Sequence, residues 1–207
     1  MVSRPKRQER RRAELIQATQ RAIVKHGADG AILNRIAEEA GVSPGTVLYY
    51  YPEIGTLTVE TIRAAMDRFY TARAGVLDEV GLTTAGRLVR MISLGLPEGP
   101  WDEGVRLLCE LGGSAARFPV NASLLSTLYD REVGLYQILL ERGANEGVFS
   151  LRLPALEVAR NLVSLEDAYG YRIISNHPGI TVAVARQLIL DVARIATGNH
   201  LVEAAES

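Results

Sequence analysis

The segment that decides the fold runs from Leu33 to Tyr51 and reads LNRIAEEAGVSPGTVLYYY. Its spacing predicts a short helix over LNRIAEEA, a turn at Gly41 and a second helix over PGTVLYYY. Gly41 can end the first helix because glycine reaches positive φ at no steric cost. Ser43 is an N-cap residue type, and Pro44 suits the first helical position, where no N–H is needed. This arrangement is typical of a helix-turn-helix that places its second helix in the major groove of DNA; an ordinary helix–helix corner is the alternative.

The composition indicates a globular chain of one large or two small domains. It has 207 residues, of which 47% are hydrophobic and 23% charged, within the range of soluble proteins. The single cysteine, Cys109, excludes an intrachain disulfide and a cysteine metal cluster, so we expect a buried reduced thiol and no cofactor. We see no signal peptide and no apolar run of membrane-spanning length. We therefore expect a cytoplasmic protein without membrane contact.

Positive charge is concentrated at the N-terminus. Residues 1–57 contain nine Lys/Arg against six Asp/Glu, a balance of +3, whereas residues 58–207 contain fourteen against eighteen, a balance of −4. A basic arm beside a helix-turn-helix suits the phosphate backbone of DNA, and a solvated, disordered tail is the alternative. The basic excess comes from Arg4, Lys6, Arg7, Arg10, Arg11 and Arg12.

Helical periodicity continues along the rest of the chain. We find no alternating strand pattern and no internal repeat, so the sequence predicts an all-α fold of about nine helices. A three-helix bundle carrying the helix-turn-helix would occupy residues 1–52, and a larger helical domain residues 53–207. The predicted helices cover Glu9–His26, 33–40, 44–51, Gly55 to about Val80, Thr84–Leu96, Trp101–Phe118, Pro119–Asn145, Ala155–Asn176 and Thr181–Thr197.

The segment RIAEEAGVSPGTVLYYYPEIGTL, from Arg35 to Leu57 and preceded by a helix ending in HGADG, resembles the tetracycline-repressor (TetR) family. The resemblance covers about the first quarter of the chain; beyond it, only helix number and length agree. It implies a homodimeric repressor of a double-stranded DNA operator, whose C-terminal domain binds a small-molecule effector and forms the dimer. It also implies base and phosphate contacts at Ser43, Pro44, Gly45, Thr46, Tyr49 and Tyr50.

Three positions depart from the pattern of that family. Ala31-Ile32 replaces the usual threonine cap, so the first helix of the motif lacks a side-chain acceptor at its start. Leu48 stands where a tyrosine commonly meets phosphate, and Ile54 where a lysine commonly does. Two phosphate contacts are therefore missing, and the arm residues Arg4, Lys6 and Arg7 are candidates to replace them.

Aromatic, sulfur-containing and acidic residues of the larger domain are candidates for an effector site. Aromatic residues at helical spacing also fit an ordinary core, and the acids also fit an exposed surface. In a cavity, Glu110, Glu132 and Asp167 would form a negative wall that selects a cation. Gly112-Gly113 weakens its helix and predicts the close approach of another helix or a ligand. The predicted site comprises Met66, Phe69, Tyr70, Trp101, Cys109, Tyr129, Glu132, Tyr136 and Asp167.

The last two long helices carry more apolar surface than one core requires, which suits an isologous four-helix dimer interface. An enzyme is not expected, because the three histidines share no carboxylate motif and the chain has no Gly-rich phosphate loop, HExxH or GxSxG. A DNA-binding regulator without a ligand and an all-α enzyme are the alternatives. The predicted interface comprises Leu165, Tyr169, Ile173, Leu188, Val192 and Ile195.

Overall fold

The computed structural model describes residues 4–27 and 31–201, without the side chains of Arg4 and Pro5. The end of the HGADG segment, residues 28–30, lies outside the described residues. Within the described ranges the chain forms nine α-helices and no strand, which confirms the predicted all-α class. The helices are α1 (Arg4–His26), α2 (Leu33–Ala40), α3 (Pro44–Tyr50), α4 (Ile54–Ala74), α5 (Thr84–Leu94), α6 (Glu103–Ser114), α7 (Pro119–Asn145), α8 (Ala155–Ile174) and α9 (Val182–Thr197).

The chain divides into two compact units. The N-terminal unit comprises Met1–Arg68 and Glu103–Leu125, and the C-terminal unit comprises Phe69–Asp102 and Ser126–Ser207. Helices α4 and α7 each contribute one end to either unit. The predicted division of function at residue 52 remains a prediction. No helix in the described part of the chain is long and apolar enough to cross a membrane.

The N-terminal unit is built on α1, which packs against both α2 and α6. The apolar stripe of α1 is buried and meets the inner faces of α2 and α3. Glu39 on α2 strengthens this contact, because its carboxylate accepts a hydrogen bond from Lys25 Nζ at 3.0 Å and its carbonyl accepts one from Arg21. The hydrogen bond from Lys25 holds the pKa of Glu39 below its usual range. The core of this region consists of Leu15, Ala22, Ile36, Ala37, Val47, Tyr51 and Leu57.

Gly112 and Gly113 do not fulfil the expectation of a close neighbour. Both are exposed in α6, and a Cβ placed on either would meet nothing within 4 Å among the described residues. The predicted close approach of another helix is therefore wrong. The helix also ends at Ser114 instead of Phe118, as expected for a helix weakened by two adjacent glycines near its end.

The C-terminal unit packs the end of α4 with α5, α7, α8 and α9 around a second apolar core. Helix α4 ends at Ala74, and a 3₁₀ turn over Gly75–Asp78 replaces the helix predicted to continue to Val80. Gly95, at the end of α5, lies directly against the carboxylate of Glu166 on α8, so that a Cβ at this position would overlap the carboxyl group. Glycine is therefore required here for space, since its φ of −79° is open to any residue.

Candidate DNA-binding surface and buried polar cluster

The turn between α2 and α3 has the geometry that the sequence predicts. Gly41 adopts φ +62°, and its N–H donates to carbonyl oxygens in the last turn of α2. Ser43 caps α3 in an extended conformation, because its Oγ accepts a hydrogen bond from the Thr46 N–H at 3.2 Å, with Pro44 at the first turn. The cap satisfies one of the free N–H groups at the start of the helix. The N-terminal end of α3 is therefore fixed within the unit.

The N-terminal end of α3 presents an accessible surface. Ser43, Pro44 and Gly45 are exposed, and Tyr49 is 67% exposed. Thr46 is half-buried, and its Oγ1 lies 2.9 Å from Ser43 Oγ, so the two hydroxyls already share a hydrogen bond. Ser43, Pro44 and Gly45 have small side chains, so the backbone of a binding partner could approach them closely. Tyr49 is the most exposed large side chain of this surface.

The other predicted contact lies on α3, and the three departures from the TetR pattern lie on α3 and at the starts of α2 and α4. Tyr50 is half-buried against the small core, and its ring makes an edge-on contact with Tyr49 at 5.0 Å between centroids. Leu48 is 39% exposed, and Ile54 packs partly into the core. Ile32 precedes α2 without any side-chain cap. The predicted absence of an acceptor at the start of α2 is thus confirmed.

The basic N-terminal segment is helical instead of forming a separate arm. Helix α1 begins at Arg4, five residues before the predicted start at Glu9, and the side chains of Lys6 and Arg7 are exposed on it. Arg10 and Arg11 both pair with Glu14, at 3.2 and 2.7 Å. These i,i+3 and i,i+4 pairs support the helix through the charged stretch.

In the C-terminal unit, a buried arginine joins three helices. Arg73 on α4 is 1% exposed; its Nη1 donates to Glu132 Oε1 on α7 at 2.9 Å, and its Nη2 donates to Glu166 Oε2 on α8 at 2.8 Å. The hydroxyl of Tyr136 donates a hydrogen bond to the carboxylate of Glu166. The guanidinium also lies over the rings of Tyr136 and Phe69, at 5.2 and 5.6 Å from their centroids. We call these five residues the Arg73 cluster.

Burial controls the protonation of the Arg73 cluster. It raises the pKa of Glu132 to about 8 and that of Glu166 to about 7, although Arg73 opposes both shifts. The pKa of Tyr136 is also raised well above its usual value by burial, so it remains a hydrogen-bond donor. Because one guanidinium faces two desolvated carboxyls, the cluster favours keeping one proton near neutral pH. Arg73 Nε is buried with no hydrogen-bond partner among the described residues.

The structure distributes the predicted effector residues over several places. Phe69, Glu132 and Tyr136 belong to the Arg73 cluster. Tyr70 and Tyr129 are partly buried against the apolar core of the C-terminal unit.

The remaining predicted effector residues lie elsewhere. Trp101 is 70% exposed and Asp167 is exposed, although burial of its carboxyl group raises the pKa of Asp167. Met66 and Cys109 are buried and half-buried parts of the N-terminal unit. The sequence analysis thus gathered residues from both units.

Sequence reasoning missed Arg73 and Glu166, the two charged centres of the cluster. Glu166 falls in register with the buried positions Leu162, Gly170 and Ile173 of α8. A charged residue in such a stripe is rarely buried unless it is paired, so this position was the available signal. Arg73 carries the same signal, because it continues the stripe of Ile62, Met66 and Phe69 on α4.

The predicted dimer residues divide between surface and core. Leu188 and Val192 are each 39% exposed and Ile195 is 69% exposed, so that they form a stripe with Val184 along α9. Leu165 and Tyr169 are partly buried against the core of their own unit. Ile173 is 2% exposed and belongs to that core, which leaves it almost no surface for a partner.

Comparison with known proteins agrees with this description. Residues 15–60 match the family model described as bacterial regulatory proteins, tetR family. No curated protein matches the chain in sequence. Its fold is similar to a TetR-family transcriptional regulator from Rhodococcus sp. (TM-score 0.78, 23% identity, 90% of this chain and 98% of that one). It is also similar to a regulator from Saccharomonospora viridis in complex with choline (0.78, 24%, 88% and 95%) and a TetR regulator from Haloarcula marismortui (0.79, 23%, 91% and 99%).

Proposed function

We propose that the chain, whose residues 15–60 match the tetR family model, is a transcriptional repressor of that family. In this proposal it binds a palindromic operator as a homodimer and leaves it when a small molecule binds. The observation that carries the proposal is the capped, accessible start of α3, where Tyr49 projects beside the small residues Ser43 to Gly45. Such a helix end fits into the major groove, where Tyr49 can reach sugar or phosphate.

The exposed apolar stripe on α9 supports a two-fold dimer. Val184, Leu188, Val192 and Ile195 are spaced four, four and three residues apart, so they share one face of the helix. An isologous contact buries the same patch on both subunits. A single recognition helix reads only a few bases, so two half-sites give the specificity that a repressor needs.

The Arg73 cluster supports an effector site in the C-terminal unit. A cation that displaces the proton kept by the cluster would face two ionised carboxylates and a single guanidinium, an excess of one negative charge. The Tyr136 and Phe69 rings also offer faces that attract cations. We infer a small cationic or amphipathic effector. The choline bound to the relative from Saccharomonospora viridis makes a quaternary ammonium compound the first probe to test.

Helix α4 offers a route from the effector to the recognition helix. It begins at Ile54, four residues after the end of α3, and carries Arg73 in its last turn. An effector that competes for the carboxylates of the cluster changes what holds that end of α4. The effector need only favour the form that does not bind DNA, and a coupling of about 1–3 kcal/mol weakens operator binding roughly 5–150-fold.

Footprinting on DNA upstream of the protein's own gene tests the DNA-binding function. Two protected half-sites related by two-fold symmetry are expected. Tyr49→Ala should remove the protection, whereas the control Tyr171→Ala changes a 56% exposed tyrosine of α8 and should preserve it. Protection that survives Tyr49→Ala would contradict the assignment of α3 as the recognition helix.

Calorimetry with choline, with and without operator, tests the effector. Because coupling is reciprocal, operator should weaken choline binding by the factor by which choline weakens operator binding. A regulator without a ligand is the second candidate, favoured by the fact that Arg73 already occupies both carboxylates from within the chain. Mass spectrometry of the purified protein distinguishes the two, since a sensor is expected to retain a co-purified small molecule.

A further inference from the structure

A second polar network lies in the N-terminal unit, where α1 and α4 meet the end of α3. Arg12 on α1 donates from Nη2 to the two carboxylate oxygens of Glu60 on α4, at 3.1 and 3.3 Å. Its Nη1 donates to the carbonyl oxygen of Tyr50, the last residue of α3, at 3.3 Å. The hydroxyl of Tyr51 donates to Glu60 Oε2 at 2.6 Å. The network therefore links three helices through side chains that are far apart in the sequence.

The network has a rigid member at its centre. Tyr51 is 2% exposed, and the Arg12 guanidinium lies over its ring at 4.2 Å from the centroid. Burial, helped by Glu60, raises the pKa of Tyr51 to about 12, so its hydroxyl stays a donor. The Arg12–Glu60 pair is partly exposed and alone would contribute little. Two further contacts fix the geometry of this ion pair. Arg12 stacks on the buried ring of Tyr51, and the carboxylate of Glu60 accepts from both Arg12 and Tyr51.

Arg12 also completes the C-terminal end of α3. The last carbonyls of a helix have no partner within it, and a cation there interacts favourably with the helix dipole. The contact with the Tyr50 carbonyl thus attaches the recognition helix to α1, and the contact with Glu60 attaches the same arginine to α4.

We propose that Arg12, Tyr51 and Glu60 are positioning residues that hold α3 in the orientation that reads DNA, and that Arg12 does not contact phosphate. The inference rests on the proposed DNA-binding function. By charge alone Arg12 belongs with the basic N-terminal residues, but Lys6 and Arg7 are exposed whereas Arg12 is engaged by Glu60. The network also explains why an acidic residue, Glu60, can be present in a DNA-binding unit. A carboxylate without partners would repel DNA, but that of Glu60 is engaged by Arg12 and Tyr51.

The test uses the full chain and a duplex that the parent protein selects from a random-sequence DNA pool. Affinity for that duplex and for an unselected one is measured over a range of salt concentrations. Glu60→Gln should weaken binding to the selected duplex about three- to tenfold, because a charge-assisted contact is lost at a partly exposed site. Weaker binding would distinguish a positioning role from a simple charge effect, because removing a negative charge near DNA would by itself strengthen binding.

Arg12→Gln should give a similar loss on the selected duplex, with the slope of log K against log salt unchanged. A phosphate contact would instead lower that slope by about 0.9 and weaken binding to both duplexes. The matched control is Glu14→Gln, which removes the partner of Arg10 and Arg11 on the exposed side of α1 and should leave binding unchanged or stronger.

Tyr51→Phe keeps the buried ring and removes only the hydroxyl, so it supplies a variant expected to fold if Glu60→Gln does not. It should also weaken binding to the selected duplex more than to the unselected one. The proposal is overturned if the folded Glu60→Gln or Tyr51→Phe protein binds the selected duplex as tightly as the parent, or if Arg12→Gln reduces the salt slope. If the parent selects no duplex, the proposed function fails first and the positioning role with it.

Discussion

Gly95→Ala tests how strictly the Arg73 cluster is held. The backbone at Gly95 is right-handed, with φ −79° and ψ −11°, so alanine is allowed there. In open space the change would stabilise the protein by about 0.4–1 kcal/mol, because alanine restricts the unfolded chain. The new Cβ would, however, overlap the Glu166 carboxylate.

Glu166 cannot move away from that Cβ without losing a hydrogen bond. Its carboxylate is held by Arg73 on one oxygen and by Tyr136 on the other, and moving it breaks one of these contacts. Leaving a buried charge without its partner costs about 3–5 kcal/mol. After the gain from the unfolded chain is subtracted, we expect Gly95→Ala to lower the free energy of unfolding by about 2–4.6 kcal/mol.

Urea denaturation followed by circular dichroism measures the change, with Gly113→Ala as the matched control. A Cβ at Gly113 meets nothing within 4 Å, so this variant should be more stable than the parent by up to about 1 kcal/mol. If Gly95→Ala is as stable as the parent, Glu166 can move without loss, and the account of the cluster as a tightly packed network is wrong.

Four further predictions follow from the local structure. Ile32→Ser supplies the missing cap of α2 and should raise the free energy of unfolding by about 1 kcal/mol in urea denaturation. A carboxyl whose pKa rises from 4.5 to about 8 on folding, as at Glu132, binds its proton more tightly in the native state. Its contribution to stability therefore declines as the pH rises between those two values, by at most about 1.4 kcal/mol per pH unit. Glu132→Gln removes this titration, so the free energy of unfolding from urea denaturation should depend less on pH between about pH 6 and about pH 8. Replacing Lys6 and Arg7 by glutamine should reduce the salt slope of operator binding by up to about 1.8, at 0.9 per phosphate contact, and an unchanged slope would exclude such contacts. Leu188→Arg should yield monomers in light scattering, and an intact dimer would place the interface elsewhere.

The parts of the structure that sequence reasoning predicted correctly depend on neighbouring residues. Gly41 and Ser43 fix the turn and the cap by contacts within three or four positions along the chain. The start of α1 was predicted too late, because a run of charges carries no apolar stripe. The ion pairs with Glu14 instead support that helix.

The Arg73 cluster could not be predicted in the same way. Arg73 meets carboxylates 59 and 93 residues further along the chain. Periodicity places Arg73 and Glu166 in the buried stripes of their helices. It contains no information about the distant partners that allow a charged residue to be buried there. Trp101, a residue type that is usually well buried, is 70% exposed, and its position in the sequence pattern does not indicate this.

The N-terminal unit is assembled from two segments that are separated in the sequence, and this has a consequence for folding during synthesis. Helix α1 packs against α2, which follows it closely, but also against α6, which begins only at Glu103. A nascent chain can form the helix-turn-helix early, since its contacts are local and domains fold as the chain emerges. The side of α1 that α6 covers can be buried only after Glu103–Leu125, the second segment of the N-terminal unit, has left the ribosome. A fragment that stops at Arg68 therefore contains α3 but lacks α6, which completes the packing around α1.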